Sequence, residues 1–279
     1  CLGPNLCRVA LENYSVIGLY NKNCSEIPGV HLVKCDLRDS SAFCELFNRE
    51  KPDALIHTAA ISNPNYCQEN QKESYELNVT VTANIARVCV DHCIPFVFTS
   101  TDLVFDGIKA PYKEDDPVNP VNIYGEEKAE AERIILDSSN LAVVCRMPLM
   151  FGNAPEHASS FIQPWIRQLR SGKKLSLFQD EFRTPVSAID ASKGLLLALE
   201  RAKGILHLGG KERLSRYEIG QMMVQLMKLD RELICACYQR DVLMAAPRPA
   251  DVSMDSSKAF DLGYSRESVF AELQKIIVR

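Results

Sequence analysis

Ile94-Pro-Phe-Val-Phe-Thr-Ser-Thr101 is an apolar run ending in three hydroxyl side chains, and Tyr124-Gly-Glu-Glu-Lys128 begins 23 residues after it. The first stretch reads as a buried strand whose last residues emerge at a sheet edge. A helix opening near Tyr124 puts Lys128 one turn further along the same face, within reach of the phenol. A free tyrosine titrates near pH ~10, and a nearby ammonium favours its phenolate, so Lys128 is expected to tune Tyr124 as an acid. Thr101 adds a hydroxyl that hydrogen-bonds a carbonyl oxygen, which polarises it for protonation while a hydride reaches the carbon. A Tyr-x-x-x-Lys pair arises readily by chance on exposed helices, so its weight comes from its position after the strand-end hydroxyls.

Outward from these two stretches, apolar runs alternate with helical patterns, as in a parallel sheet covered on both faces. Strands are expected at Ser15–Tyr20, His31–Cys35, Asp53–His57, Pro95–Phe98 and Leu141–Cys145. Between them, Arg38–Glu50 carries Phe43, Leu46 and Phe47, and Glu73–His92 carries Leu77, Val81, Ile85 and Val88 at helical spacing. The fold class is therefore α/β, a Rossmann-like doubly wound parallel sheet. Beyond about residue 150 the rhythm changes. Helices are expected at Ser160–Ser171, Ala191–Ala202, Ser215–Lys228 and Ser265–Val278, with a strand at Gly204–Leu208. This divides the chain into a nucleotide-binding part, 1–150, and a smaller substrate-facing α/β lobe, 151–279, some of whose elements return to the sheet. The methionines of Ser215–Lys228 read as core filler.

Residues Asn5–Glu12 read as a helix with no strand before it. A dinucleotide-binding unit starts with a strand, a glycine-rich turn and then this helix, and here only the last glycine, Gly3, is present. The first strand is central in that architecture, so the natural chain is expected to extend upstream.

The 279 residues are 46% hydrophobic and 24% charged with a net charge of −4, which suits an enzyme-sized globular fold. The basic residues are scattered, so neither nucleic acid nor an anionic membrane is an expected partner. No apolar run approaches the ~20 residues of a membrane span, and the expected location is cytoplasmic. Eleven cysteines without Cys-x-x-Cys pairs favour reduced thiols, with Cys89, Cys93, Cys235 and Cys237 buried as small hydrophobes, and no metal site is expected. His57 closes an apolar strand and reads as a satisfied ring rather than a base.

Thr99-Ser100-Thr101-Asp102-Leu103-Val104-Phe105-Asp106-Gly107, Tyr124-Gly-x-x-Lys128, Asp180-x-Phe182-x-x-Pro185 and Arg248-Pro249-x-x-x-Ser253-Met254-x-x-x-Lys258 together resemble the extended short-chain dehydrogenase/reductases. Within that superfamily the chain is similar, over essentially its whole length, to the dTDP-4-dehydrorhamnose reductases. It is also similar to the non-catalytic regulatory subunit of methionine adenosyltransferase. The resemblance implies Tyr124 as acid, Lys128 as its tuner and ribose anchor, and Thr101 as the carbonyl hydrogen-bonder. It places Gly3 at the dinucleotide phosphates, Asp36 and Leu37 beside the adenine, Thr58, Ala59, Ala60 and Thr99 along the cofactor, and Met147 at the nicotinamide. Asn78 falls in a supporting hydrogen-bond network. Asp36 alternatively caps the helix starting near Arg38, and Asn78 is alternatively a satisfied buried amide.

After Tyr20, Asn21-Lys22 supplies a cation and no acid, which favours NADP(H), with NAD(H) the other possibility. Ser62, Thr101, Asp102 and Arg248 are the expected substrate contacts. Leu103 and Leu149 stand where the family carries aromatic rings against the sugar, so the acid apparatus is retained while the sugar clamp is altered. The resemblance therefore implies an NAD(P)H-dependent reductase of the 4-keto group of a nucleotide-linked deoxysugar. The other reading is a cofactor-holding regulatory subunit docked on a synthetase. A homodimer or a regulatory partner subunit fits these expectations.

Overall fold

The computed structural model describes residues 2–154 and 160–278. Strands β1 (Ile17–Tyr20), β2 (His31–Lys34), β3 (Leu55–His57), β4 (Phe96–Thr101) and β5 (Ala142–Met147) alternate with α1 (Leu2–Ala10), α2 (Ser40–Glu50), α3 (Pro64–Glu69), α4 (Gln71–Tyr75), α5 (Val81–Asp91) and α6 (Ile123–Ser138). The remainder comprises β6 (Met150–Phe151), α7 (Ile162–Arg170), β7 (Leu175–Phe178), β8 (Phe182–Arg183), β9 (Val186–Ser187), α8 (Ala188–Arg201), β10 (Gly204–His207), β11 (Leu214–Ser215), α9 (Arg216–Met227), β12 (Ile234–Cys237), α10 (Ser257–Asp261) and α11 (Val269–Ile277).

All contacts within the main sheet are parallel, in the order β10-β5-β4-β3. Strands β1 and β2 form a separate parallel pair, and β1 is not hydrogen-bonded to β3 among the described residues. Doubly wound sheets reverse their chain order between their two halves. The crevice beyond the carboxyl ends of the strands at such a reversal is where nucleotides bind in doubly wound sheets.

Every residue of β4 and β5 is buried, as a strand covered on both faces requires. The alternation is visible in the packing. Phe96, Phe98 and Val144 face α2, α5 and α6, against Phe43, Phe47, Ile85 and Ile135. Val97, Val143 and Cys145 face the opposite layer, against Leu6 of α1 and Leu195 of α8. A further core gathers Phe151, Ile162, Leu177, Ile219, Met223, Ile234 and Leu273. The methionine-rich helix contributes Met223, wholly buried, to that core, as its composition suggests. Helix α8 and strand β10 come after residue 150 yet pack on the main sheet.

Three local expectations are revised. The helix expected at Glu73–His92 is longer and irregular: α4 and α5 are joined through a π-helical turn, Glu76–Thr80, which contains Asn78. Gly3 lies inside α1, not in a turn ahead of it. Cys93 lies beyond the end of α5 in a left-handed conformation and is exposed, whereas Cys89 is buried. Every cysteine among the described residues is a free thiol. Among the described residues no helix is long and apolar enough to cross a membrane.

Candidate active site

Helix α6 begins at a cap built for it. Asn122 accepts a hydrogen bond from the Gly125 amide at 3.0 Å, and its own amide donates to the Pro247 carbonyl at 3.1 Å. Gly125 lets the helix approach the turn after β4. A methyl group there would lie 2.2 Å from the Leu103 carbonyl oxygen and 2.8 Å from Pro120. This close approach carries Tyr124 to the end of β4, beside the Thr101 hydroxyl. Thr101 also accepts from the Leu103 amide and donates to Asp102 Oδ1, each at 3.2 Å.

Lys128 follows one turn on and is almost wholly buried, with its ammonium 3.9 Å from the Phe98 ring centroid. Burial pushes it down from 10.5 to about 7, against the pull of Glu132 and Glu127. Among the described residues Lys128 makes no hydrogen bond or ion pair, so it is a buried ammonium with its donors uncommitted.

The phenol moves opposite to the expectation drawn from Lys128. Burial, then the charges of Asp102 and Cys67, raise Tyr124 above its ordinary value, and the Thr101 hydrogen bond only partly opposes them. Lys128 is not among the groups that shift Tyr124 in the cofactor-free protein. His57 is a fully enclosed ring, stacked between Phe96 and Phe98 and 3.1 Å from the Thr82 hydroxyl. Burial and Lys128 hold it down to about 3, so it is neutral and satisfied, as expected.

A second set of buried groups supports the loop after β3. Asn78 receives the Ile61 amide at 2.9 Å, returns a bond to the Ile61 carbonyl at 3.0 Å and donates to Glu127 Oε2 at 2.7 Å. Ser74 donates to the other Glu127 oxygen. Asn78 thus sits in a hydrogen-bond network that pins residues 58–62 beside the crevice. The π turn that carries it is a common device for presenting a side chain at a functional position. Thr58, Ala59 and Ala60 are small and half-buried there, and a methyl group on Gly3 would touch the Thr58 hydroxyl at 3.6 Å. Thr99 is held by a 2.9 Å bond to the His57 carbonyl, and Met147 pairs with Thr101 in register across β4 and β5. Thr58, Thr99, Thr101 and Met147 thus lie at the carboxyl ends of β3, β4 and β5.

Asp36 resolves the choice left open above. Asp39, not Asp36, caps α2, accepting from the Ala42 amide at 3.0 Å. Asp36 instead grips Arg38 Nε at 3.0 Å and Nη2 at 2.6 Å and is bonded by Asn21. These contacts hold its carboxyl at about 2. Leu37 is half-buried beside it, and Lys22 is exposed.

On the substrate side, Ser62 is exposed and Arg248 Nη2 lies 3.2 Å from Asn65 Oδ1. Asp102 differs from its expected role: its Oδ1 is committed to Arg183 at 2.8 Å, while Oδ2 is buried without a partner among the described residues. Arg183 continues to Glu181 at 3.0 Å, and Glu181 to Arg216 at 3.2 Å. Although burial opposes it, Arg216 and Arg183 hold Glu181 down to about 2, whereas burial raises Asp102 despite Arg183. This chain of charges was not anticipated, although Arg183 lies inside the quoted Asp180–Pro185 motif. Leu103 packs on Tyr124 and Cys67 where a sugar-facing ring was expected. A cleft of about 590 Å³ beside Arg248 is lined by Gln239, Val242, Leu243 and Met244. Neither it nor a second, of about 320 Å³ near Lys211 and Phe260, contains any of the Tyr-Lys-Thr set.

Known proteins resemble this chain in sequence and fold. The methionine adenosyltransferase 2 subunit beta of Xenopus laevis is 30% identical over 242 residues, covering 84% of this chain and 72% of the relative. The crystal structure of a hypothetical dTDP-4-dehydrorhamnose reductase from Sulfolobus tokodaii is 31% identical, with a TM-score of 0.84 over 96% of this chain and 94% of that one. At 18% identity, the dTDP-4-dehydrorhamnose reductase of Bacillus anthracis in complex with NADP shares the fold, with a TM-score of 0.84 over 99% and 96% of the two chains. The family model described as the RmlD substrate binding domain matches residues 1–278, and the chain belongs to that family.

Proposed function

We propose that this chain is an NADP(H)-dependent reductase of the 4-keto group of a nucleotide-linked deoxysugar. The observation that carries the proposal is Tyr124 brought beside Thr101 at the end of β4, with the buried, uncommitted Lys128 one turn on. A reduced nicotinamide, when bound, supplies the hydride. Thr101 and Tyr124 hydrogen-bond the keto oxygen and set the carbonyl's orientation. Tyr124 starts protonated, as a proton donor must, because a phenol titrates well above neutrality and burial raises it further. The alkoxide created by hydride arrival is more basic than a phenolate, so the proton moves to the sugar oxygen. Lys128 anchors the ribose and stabilises the phenolate that remains. Asn78 and Glu127 hold residues 58–62 against the cofactor, and Arg248 faces the nucleotide portion of the substrate. The NADP complex of the Bacillus anthracis relative supports the cofactor assignment.

A second reading is supported by a specific observation: Leu103 replaces the sugar-facing ring, and Asp102 is tied to Arg183 rather than free for substrate. With the Xenopus laevis relative named as a methionine adenosyltransferase subunit, these features suit a non-catalytic, cofactor-holding regulatory subunit of such a synthetase. One pair of measurements separates the two. The reductase oxidises NADPH in the presence of dTDP-4-dehydrorhamnose, and Tyr124→Phe lowers turnover at least about 100-fold while changing the NADPH Kd by less than about threefold. Absence of turnover on every keto sugar offered, with stoichiometric co-elution of a methionine adenosyltransferase, establishes the regulatory subunit instead.

A further inference from the structure

Arg183 of β8 is taken up by Asp102 and Glu181, whereas its neighbour Thr184 lines a separate cavity of about 320 Å³. The segment after β10, the segment ahead of α10 and Phe260 supply the other walls. Three hydroxyl residues of this lining are buried: Thr184, Ser253 and Ser256 are 5%, 2% and 2% exposed. Thr184 Oγ1 accepts from the Met254 amide at 3.4 Å and Ser256 Oγ from the Gly209 amide at 2.8 Å. Neither hydroxyl donates to any described residue, and Ser253 Oγ has no partner at all among them. Each keeps an uncommitted proton in a place where an unmatched donor is destabilising. Gly209 shows how near two of them lie, since a methyl group there would meet Thr184 Oγ1 at 2.7 Å and Ser256 Oγ at 2.9 Å. Hydroxyl donors thus converge from two segments far apart in the chain, and the described residues offer them no acceptor.

The surrounding charges set the sign of the group that fits. Asp251 is matched by Arg213 at 2.6 Å and by the Ser253 amide at 3.0 Å. Asp255 accepts from the amide and hydroxyl of Ser257, and Lys113 also acts on it. Lys211 is exposed and in no ion pair among the described residues. With both acids matched, what remains is an ammonium beside three hydroxyl donors, a set that suits an oxyanion. A carboxylate presents two oxygens in one plane, whereas a phosphate monoester presents three and accepts from donors arriving in several directions. Phe260, Met254 and Pro111 form an apolar wall for a short carbon skeleton, and the volume is at the small end of ligand pockets.

We propose that this cavity binds a small organic phosphate monoester, with Lys211 and the hydroxyls of Thr184, Ser253 and Ser256 on the phosphate and the apolar wall against the carbon skeleton. The site shares no residue with the Tyr124, Lys128 and Thr101 set and is independent of the proposed reduction. Titration calorimetry on the full chain with glycerol 3-phosphate, inorganic phosphate and glycerol tests it, in wild type, Ser253→Ala, Lys211→Met and Arg248→Ala. Wild type is expected to bind a single equivalent of the ester, to bind inorganic phosphate at least about threefold more weakly for want of the apolar contact, and not to bind glycerol. Ser253→Ala and Lys211→Met each weaken the ester at least about fivefold, as for a lost hydrogen bond or charge on an anion. Arg248→Ala, in the other cleft, changes it less than about twofold. Ser253→Ala also leaves the thermal midpoint of the ligand-free chain no lower than wild type, because an unmatched hydroxyl stabilises nothing that alanine loses. No saturable binding of the ester, inorganic phosphate bound as tightly, a loss confined to Arg248→Ala, or a Ser253→Ala chain with a lowered midpoint and unchanged affinity each overturns the proposal. None of these results touches the reductase reading, which is decided by NADPH oxidation.

Discussion

Lys128 is a cation placed where water cannot reach it, and the cost of that placement depends on pH. Its folded value is about 7 against 10.5 for the free side chain. Between those values the unfolded chain binds more protons than the folded one, so stability rises with pH across that window and the full penalty applies below about 7. Glu132 is already paired with Arg146 at 2.8 Å, and Glu127 is already bonded by Asn78 and Ser74, so neither needs the ammonium. Lys128→Met is therefore expected to stabilise the cofactor-free protein by roughly 2 to 4 kcal/mol at pH 7, with the gain shrinking towards pH 10. Urea unfolding at pH 7 and pH 9.5 measures it, and a variant less stable than wild type at pH 7 would refute the account. On the proposed function, in which Lys128 anchors the ribose, the same substitution weakens NADPH binding at least about tenfold. A side chain that destabilises the empty protein yet is positioned for a ligand is the trade expected of a binding site.

Helix α6 is the element that assembles the site, and Gly125 is its point of contact with the turn after β4. Gly125→Ala forces its methyl group against the Leu103 carbonyl and Pro120, both of which are fixed, so the amino end of α6 must back away. The expected cost is about 2 to 3 kcal/mol in urea unfolding, and kcat falls with it because Tyr124 leaves Thr101. A variant that unfolds like wild type and keeps full turnover would show that the close approach does not matter. The pairing of Tyr124 with Lys128 was legible in the sequence because it is a property of one helix, set by a four-residue spacing. The strands β1 to β5 were legible for a related reason: short apolar runs between polar helix starts allow few alternatives. Residue pairs far apart in the chain were not legible. Nothing in the neighbourhood of Asp102 announces Arg183, 81 positions on, or that Asp102 would hold a guanidinium rather than a substrate. The burial that reverses the shift of Tyr124 is likewise a tertiary property, absent from the Tyr-x-x-x-Lys pattern. Two-residue strands such as β6, β8, β9 and β11 are too short to carry a period.

At the scale of the whole molecule, the buried chain Asp102–Arg183–Glu181–Arg216 connects the two principal packing regions. Asp102 follows β4 of the main sheet, Arg183 belongs to β8 and Arg216 opens α9, whose apolar face fills the other core. Burial works against the charge of Arg183, but the carboxylates of Asp102 and Glu181 more than offset it and keep it protonated. Replacing Arg183 by Leu leaves two buried carboxylates facing each other with only Arg216 and Arg248 to compensate. Breaking a buried pair in this way costs roughly 3 to 5 kcal/mol, because the orphaned charge costs more than the pair contributed. For a chain of this size that corresponds to a fall of roughly 6 to 12 °C in the thermal midpoint near neutral pH. The cost should also fall with acid. Burial holds Asp102 above its ordinary value, and loss of Arg183 raises it further, so acid removes one of the orphaned charges more readily in the variant than in wild type. The gap between Arg183→Leu and wild type is thus expected to narrow from pH 8 to pH 5, read by calorimetry at both values. If the network also couples the two cores, the variant's single unfolding transition broadens or divides at pH 8 and sharpens again at pH 5. A gap that stays constant with pH would mean that Arg183 contributes packing, not charge, and that the two regions are joined by their apolar contacts alone.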